Sequence, residues 1–218
     1  MDDLFWNRMI FEGISEKSRY EIEKMPKKIC SYKSKELIQE VGEDIDSVCI
    51  ILSGALKSTE YTADGRELNS SYYFAGDAFP FYLIYGGVKK TFYNTIALKK
   101  SEVVWLPMDE LVKIVDSDQT FLHNILRFVA EYCCYSKLIL RCIQYKRIKE
   151  RLCYWLLYLN DSSKDIAIPE SQSVLADILC VNRSSLNQEL KIFENDGYIK
   201  IYKKKIKILN KNALEALL

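Results

Sequence analysis

Apolar positions recur at different periods along this chain, and each change of period marks a different part. Residues 1–28 mix apolar and charged side chains at helical spacing up to Pro26, which predicts a short helical lead-in. From Ile29 to Leu106 the texture changes to short runs that alternate or stay apolar: Ser47–Leu52, Ala55–Tyr61, Leu68–Phe74, Tyr93–Leu98 and Glu102–Leu106. Turn signals part them at Gly42-Glu43-Asp44, Ser53-Gly54, Ala63-Asp64-Gly65, Gly76-Asp77 and Gly86-Gly87. Asp64-Gly65 between two strand patterns predicts a hairpin. Several short strands at this spacing predict a small antiparallel barrel or jelly roll.

From Asp118 to about Tyr145 the period is helical again. Leu122, Ile125, Val129, Tyr132, Ser136, Ile139 and Ile143 follow a 3-4-3-4 spacing, the a/d seam of a helix that pairs with another. A register starting at Leu126 and running through Val129, Cys133, Ser136 and Leu140 serves almost as well. One face is expected to pack on the barrel and another on a twin helix, giving a homodimer. The next helix, Ile148–Leu159, is rich in Leu, Tyr and Trp and opens a C-terminal domain.

Two shorter helices follow. Val174, Leu175, Ile178 and Leu179 form one apolar stripe; Leu186, Leu190, Ile192 and Phe193 form the next. Cys180-Val181-Asn182 breaks them apart, with Asn182 positioned as an N-cap, and a turn this short crosses two helices steeply. The polar side of the second helix opens with Arg183, Ser184, Asn187 and Gln188, side chains that read base edges in a major groove. Glu194-Asn195-Asp196-Gly197 stops it. Two alternating runs, Tyr198–Tyr202 and Ile206–Leu209, then flank Lys203-Lys204-Lys205 as a hairpin with a basic tip. Helix, turn, polar helix and basic hairpin make a winged helix-turn-helix that binds double-stranded DNA. The expected contact set is Ser173, Asn182, Arg183, Ser184, Ser185, Asn187, Gln188, Lys191, Lys203, Lys204 and Lys205.

Charge supports that direction. The net charge of +1 over 218 residues divides unevenly. Residues 1–145 carry 18 Lys and Arg against 21 Asp and Glu, and residues 146–218 carry 13 against 9. Attraction for phosphate is therefore concentrated at the C-terminal end. No long apolar run predicts a membrane span, and the acidic start MDDLFWNRMIFEG lacks the basic residues of a signal peptide, so a cytoplasmic protein is expected. Seven cysteines form no Cys-x-x-Cys, and the single histidine is His123. No metal site is expected. A metalloenzyme on a cupin-like barrel, the competing class, needs about three clustered ligands that one histidine does not supply.

The order barrel, seam helix, helix-turn-helix and wing resembles the family of the cyclic-AMP receptor protein and the fumarate-nitrate regulator, over essentially the whole chain. The resemblance rests on Gly42-Glu43, Gly54, Asp64-Gly65 and Gly76-Asp77 in the barrel and on Val181-Asn182-Arg183-Ser184-Ser185-Leu186 at the start of the recognition helix. It implies an α+β chain: an effector-sensing β jelly-roll of the cyclic-nucleotide-binding kind with its helical lead-in at 1–117, a dimerisation helix at 118–145 and a winged helix-turn-helix at 146–218. It also implies a transcription regulator, not an enzyme, that binds a palindromic operator as a homodimer and meets RNA polymerase. Arg183 stands where the family reads guanine. Ser184 replaces a usual Glu, Gln188 a usual Arg, and Cys180 a usual Gly of the turn.

The barrel departs further. The family follows its Gly-Asp turn with a Gly-Glu pair for the ribose and later an Arg-Ser pair for the cyclic phosphate. This chain has Ala78-Phe79-Pro80-Phe81-Tyr82 and Thr91-Phe92-Tyr93 instead. A buried phosphate would lack its bidentate partner, so cyclic AMP is not the expected effector. The N-terminal cysteines of an iron–sulfur cluster are missing, and haem has no evident ligand pair. The remaining candidate is an aromatic effector box of Phe79, Phe81, Tyr82 and Tyr93, approached by Tyr132, Tyr135, Ser136 and Lys137. An ordinary aromatic core, with a constitutive regulator built around it, fits the same residues.

Overall fold

In the computed structural model, which describes residues 3–160 and 164–218, the alternating stretch folds into two four-stranded antiparallel sheets. A helical lead-in comes first: α1 (Asp3–Trp6), a 3-10 turn at Met9–Phe11 and α2 (Glu16–Lys24). The strands are β1 (Lys28–Tyr32), β2 (Leu37–Gln39), β3 (Ser47–Ser53), β4 (Ala55–Tyr61), β5 (Glu67–Phe74), β6 (Ala78–Phe79), β7 (Asn94–Ala97) and β8 (Ser101–Pro107), with α3 (Phe81–Tyr85) between β6 and β7. One sheet has the order β1-β8-β3-β6 and the other β2-β7-β4-β5.

Strand β3 explains how the layers stack. Val48 and Ile50 point one way, Cys49 and Ile51 the other, and all four are buried. A strand covered on both faces reads as an unbroken apolar run, as Ser47–Leu52 does. Val48 and Ile50 join Val104 and Leu106 of β8 beneath a helical layer. That layer comprises Phe11 and Ile22 of the lead-in, Leu111, Ile114 and Val115 of α4 (Met108–Ser117), and Phe121 and Ile125 of α5 (Gln119–Gln144). The opposite face meets the second sheet, where Tyr73 of β5 stacks on Phe79 of β6 at 4.8 Å between ring centres. Gly54, at φ +101°, joins β3 to β4 with Ser101 so close that any Cβ would lie 2.6 Å from its Cα.

Asp118 fastens the start of α5. Its Oδ2 accepts from Ser15 N (2.9 Å) and Ser18 Oγ (2.7 Å), and its Oδ1 accepts from Phe121 N (3.1 Å). Burial raises the carboxyl pKa, but these bonds outweigh it and hold the group well below the usual carboxylate range.

The second part contains α6 (Ile148–Leu159), β9 (Ile166–Ala167), α7 (Gln172–Ile178), α8 (Arg183–Asn195), β10 (Ile199–Tyr202), β11 (Lys205–Ile208) and α9 (Lys211–Glu215). Its three strands form the antiparallel sheet β10-β11-β9. Its core gathers Leu138 and Cys142 of α5, Leu152, Trp155 and Leu156 of α6, Leu175 of α7, and Leu186, Leu190 and Phe193 of α8. Burial pushes the thiols of Cys142 and Cys153 up to about 12. These two cysteines fill the core as neutral groups.

The jelly roll, long helix and winged helix-turn-helix are as expected. Three points differ. The compact units are Met1–Glu131 and Tyr132–Leu218, so the expected dimerisation segment 118–145 is divided between them within α5. Ile192, expected on the buried stripe of α8, is 41% exposed. The elements β1, β2, β6, α3, α4, β9 and α9 add to the pattern read from the sequence. Among the described residues, no helix is long and apolar enough to cross a membrane, and no group of three or more metal-ligating side chains is found.

Candidate nucleic-acid interface

The turn between α7 and α8 is closed by backbone bonds and fastened from α6. Ser171 caps α7, its hydroxyl accepting from Val174 N at 3.3 Å. At the other end, Cys180 N donates to Asp177 O (3.0 Å) and Val181 N to Ala176 O (2.9 Å), the pair of bonds that ends a helix through a left-handed residue. That residue is Cys180, at φ +52°. Arg151 of α6 donates through Nη1 to the carbonyls of Leu179 and Cys180, and through Nε to that of Tyr145.

Asn182 then starts α8. Its Oδ1 accepts from Ser184 N (2.8 Å) and from Ser184 Oγ (2.6 Å), so both side chains are engaged at the cap before any DNA arrives. Leu186, Leu190 and Phe193 bury one side of the helix. Arg183, Ser184, Gln188 and Lys191 are exposed; Ser184, Gln188 and Lys191, at i, i+4 and i+7, share one face, and Arg183 is the first residue of the helix. Ser185 and Asn187 are half-buried, as is Ser173 on α7. Asn187 Oδ1 is enclosed without a hydrogen-bond partner.

The wing is tighter than the expected three-lysine tip. Tyr202 pairs directly with Lys205, leaving a two-residue turn of Lys203 and Lys204 at φ +45° and +61°. Both residues occupy the left-handed region that this hairpin type demands and that Asn-Gly usually fills. Lys205 belongs to β11 and pairs with Ala167 as well. All three lysines are exposed, but Lys204 Nζ donates to Glu170 O at 3.0 Å and ties the tip to the segment before α7. Glu194 Oε1 accepts from Ile201 N at 2.9 Å, which fixes α8 to the wing strand.

The expected aromatic box is not assembled as read. Phe79 lies between the two sheets against Tyr73 and Trp105, whereas Phe81 packs in the helical layer against Phe128, 6.3 Å between rings. Tyr93 sits in a third cluster with Ile45 and Leu83, and Tyr82 packs against that cluster. Of the four residues on the long helix, Tyr135 packs against the core of the second unit. Ser136 Oγ donates to Tyr132 O at 2.9 Å, and Lys137 is exposed. Phe79 ends β6, Phe81 and Tyr82 lie in α3 and Tyr93 precedes β7, so proximity along the sequence did not bring these rings together.

The first seam register is also redirected. Leu122, Ile125 and Val129 pack into the helical layer over the sheet, and Ile139 packs against the core of the second unit; Tyr132, Ser136 and Ile143 are half-buried. Of the second register, Leu126 is 57% and Leu140 58% exposed and Cys133 between them is exposed, whereas Val129 and Ser136, which belong to both registers, are half-buried.

Comparison with known proteins matches both parts. Residues 29–118 fit the model of the cyclic nucleotide-binding domain, and residues 150–217 fit that of the Crp-like helix-turn-helix domain. Electron transport regulator A of Shewanella oneidensis is 23% identical over 189 residues, which cover 84% of this chain and 75% of that protein. FixK2 from Bradyrhizobium japonicum shares the fold with a TM-score of 0.65 at 19% identity, over 88% of this chain and 98% of the other. A variant of CooA from Carboxydothermus hydrogenoformans does so with a TM-score of 0.67 at 14% identity, over 90% and 88%.

Proposed function

This chain belongs to the Crp/Fnr family of DNA-binding transcription regulators, not to an enzyme family, and we propose that it acts as a homodimer on a palindromic operator under the control of a small effector. The observation that carries this reading is the polar start and face of α8, with Arg183 exposed at its first position and Ser184, Gln188 and Lys191 on the side away from the buried Leu186, Leu190 and Phe193. Arg183 offers two parallel donors to the O6 and N7 of a guanine, and Gln188 offers a donor and an acceptor to an adenine one turn further along. Lys203 and Lys205 at the wing attract phosphate without reading sequence.

A homodimer follows from the exposed stripe of α5. Leu126, Cys133 and Leu140 recur every seven residues, the repeat that lets a helix pack along a twin. A two-fold dimer carries two copies of α8 and reads two inverted half-sites.

The β domain is the sensing part, and its effector is not a cyclic nucleotide. Neither a Glu after Gly76-Asp77 nor an Arg near Thr91 is present to hold a ribose and a phosphate. Thr91 Oγ1 is engaged with Glu40 O at 2.7 Å. Effector binding acts by shifting the population of α5 arrangements in the dimer, which alters the spacing of the two α8 helices and the surface offered to RNA polymerase. Selection of bound fragments from a randomised DNA pool tests the reading. Inverted repeats with a guanine in each half are expected, together with sedimentation as a dimer; an unenriched pool or a monomer on a single half-site overturns it.

A further inference from the structure

A row of polar side chains crosses the inner face of the second sheet. Gln39 of β2 is the register partner of Thr95 in β7, Thr95 that of Ser58 in β4, and Ser58 that of Ser71 in β5. Register partners project to the same side of an antiparallel sheet. That side is the inner one, because Tyr73, two residues beyond Ser71, stacks on Phe79 of the other sheet. Thr95 and Ser58 are buried and bonded to each other at 2.6 Å. Gln39 is 7% exposed, and its Oε1 is enclosed with no hydrogen-bond partner.

An apolar filler at these positions would pack without leaving a buried acceptor unmet, a state that costs stability. The lining has a definite chemical bias. Glu60 continues the row along β4 beyond Ser58 and is half-buried. The facing wall is Phe79, Cys49 and Trp105, with Phe79 and Trp105 both register partners of Cys49. Burial pushes the Cys49 thiol well above its ordinary value, so it stands there neutral. Lys28, the register partner of Trp105, is exposed on the edge strand β1.

We infer that this inner face binds a small planar compound that carries N–H donors and no negative charge. Gln39 Oε1 accepts one N–H and repels the lone pairs of a carboxylate, and the facing wall of Phe79 and Trp105 covers the ring. The inference rests on the reading of the β domain as the sensing part and names the class of compound it senses.

Three near-isosteric probes test it on the full chain by calorimetry and saturation-transfer NMR. Benzamide and benzamidine are expected to bind at millimolar concentration, and benzoate to bind about tenfold more weakly than either. Gln39→Leu is expected to weaken benzamide about fivefold and, without probe, to melt at a higher temperature than wild type because the unmet acceptor is gone. Gln39→Met repeats the test should Leu disturb the short strand. Benzoate binding as well as benzamide, or an unchanged benzamide affinity in both variants, overturns the inference. DNA binding measured without any probe separates the two readings: if it persists while no probe binds, only this inference falls.

Discussion

Arg151 Nη1 lies 3.0 Å from the carbonyl oxygen of Cys180 and donates to it, while the same nitrogen donates to the carbonyl of Leu179, also at 3.0 Å. A guanidinium from α6 thus satisfies two carbonyls that the end of α7 leaves open, and holds the entry to the recognition helix. The residue it holds is in a conformation that costs an L-side chain about 1–2 kcal/mol.

Cys180→Gly is therefore expected to stabilise the protein by about 0.5–1 kcal/mol, the relieved strain being partly offset by the greater freedom of glycine in the unfolded chain. Urea denaturation measures it. Equal or lower stability in the variant would mean that the Cys180 side chain contributes packing that outweighs the strain. Arg151→Met is expected to act in the opposite sense, by about 1–3 kcal/mol, because two carbonyls lose a charged donor.

Base reading and phosphate attraction separate by mutation. Arg183→Ala is expected to cost about 1–3 kcal/mol at one guanine per half-site and to relax preference there. Lys203 and Lys205 changed together to Ala are expected to weaken all sequences alike, and to reduce the salt slope by about one for each phosphate that is no longer neutralised. Lys204 is left out because its bond to Glu170 O is structural. Wild-type base preference in the first variant, or an unchanged salt slope in the second, removes the corresponding role.

How much of this was legible in the sequence depended on how each element is covered. The strand Ala55–Tyr61 was predicted to the residue, as was the helix Ile148–Leu159, because glycines or periodic apolar positions bound them. The two-residue strand β9 and the three-residue strand β2 carry too few positions to show a period. Helix α4 does carry a signal: Leu111, Ile114 and Val115 at helical spacing after Pro107. On the interface, Ser184, Gln188 and Lys191 form the exposed face that their spacing predicts and Arg183 is exposed at the helix start, whereas Asn187 is half-buried. The polar row is invisible in the sequence for a different reason. Gln39, Thr95, Ser58 and Ser71 are far apart along the chain, and only strand register brings them onto one face.

The exposed residues of α5 make a sharper dimer test than its buried ones. Leu126→Lys or Leu140→Lys is expected to convert the dimer to monomers while leaving the monomer folded, because a desolvated ammonium on the seam has no partner. Ile125→Ala is expected to lower the stability of the β domain by about 2–5 kcal/mol, since Ile125 packs in the core of that unit. Sedimentation and thermal melting distinguish the two. A dimer that survives both lysine substitutions would move the seam off this face.

Acid stability carries the signature of Asp118. Its carboxylate accepts two hydrogen bonds that tie it to the lead-in and a third from Phe121 N that caps α5, and its folded pKa lies well below the roughly 3.9 of an unfolded aspartate. A carboxyl depressed in the folded state contributes stability that is fully present above about pH 4, and that is lost as pH falls through its folded value. Asp118→Asn removes the charge and sets an amide NH₂ or a single oxygen against the Ser15 N–H and Ser18 hydroxyl. The variant is expected to be less stable by about 1–3 kcal/mol at neutral pH, with a deficit that stays constant down to about pH 4 and narrows below it as the unfolded wild-type chain takes up a proton that the folded one still refuses. Denaturant titrations at a series of pH values check this. A deficit as large at about pH 3 as at about pH 7 would show that the geometry of the cap matters and its charge does not.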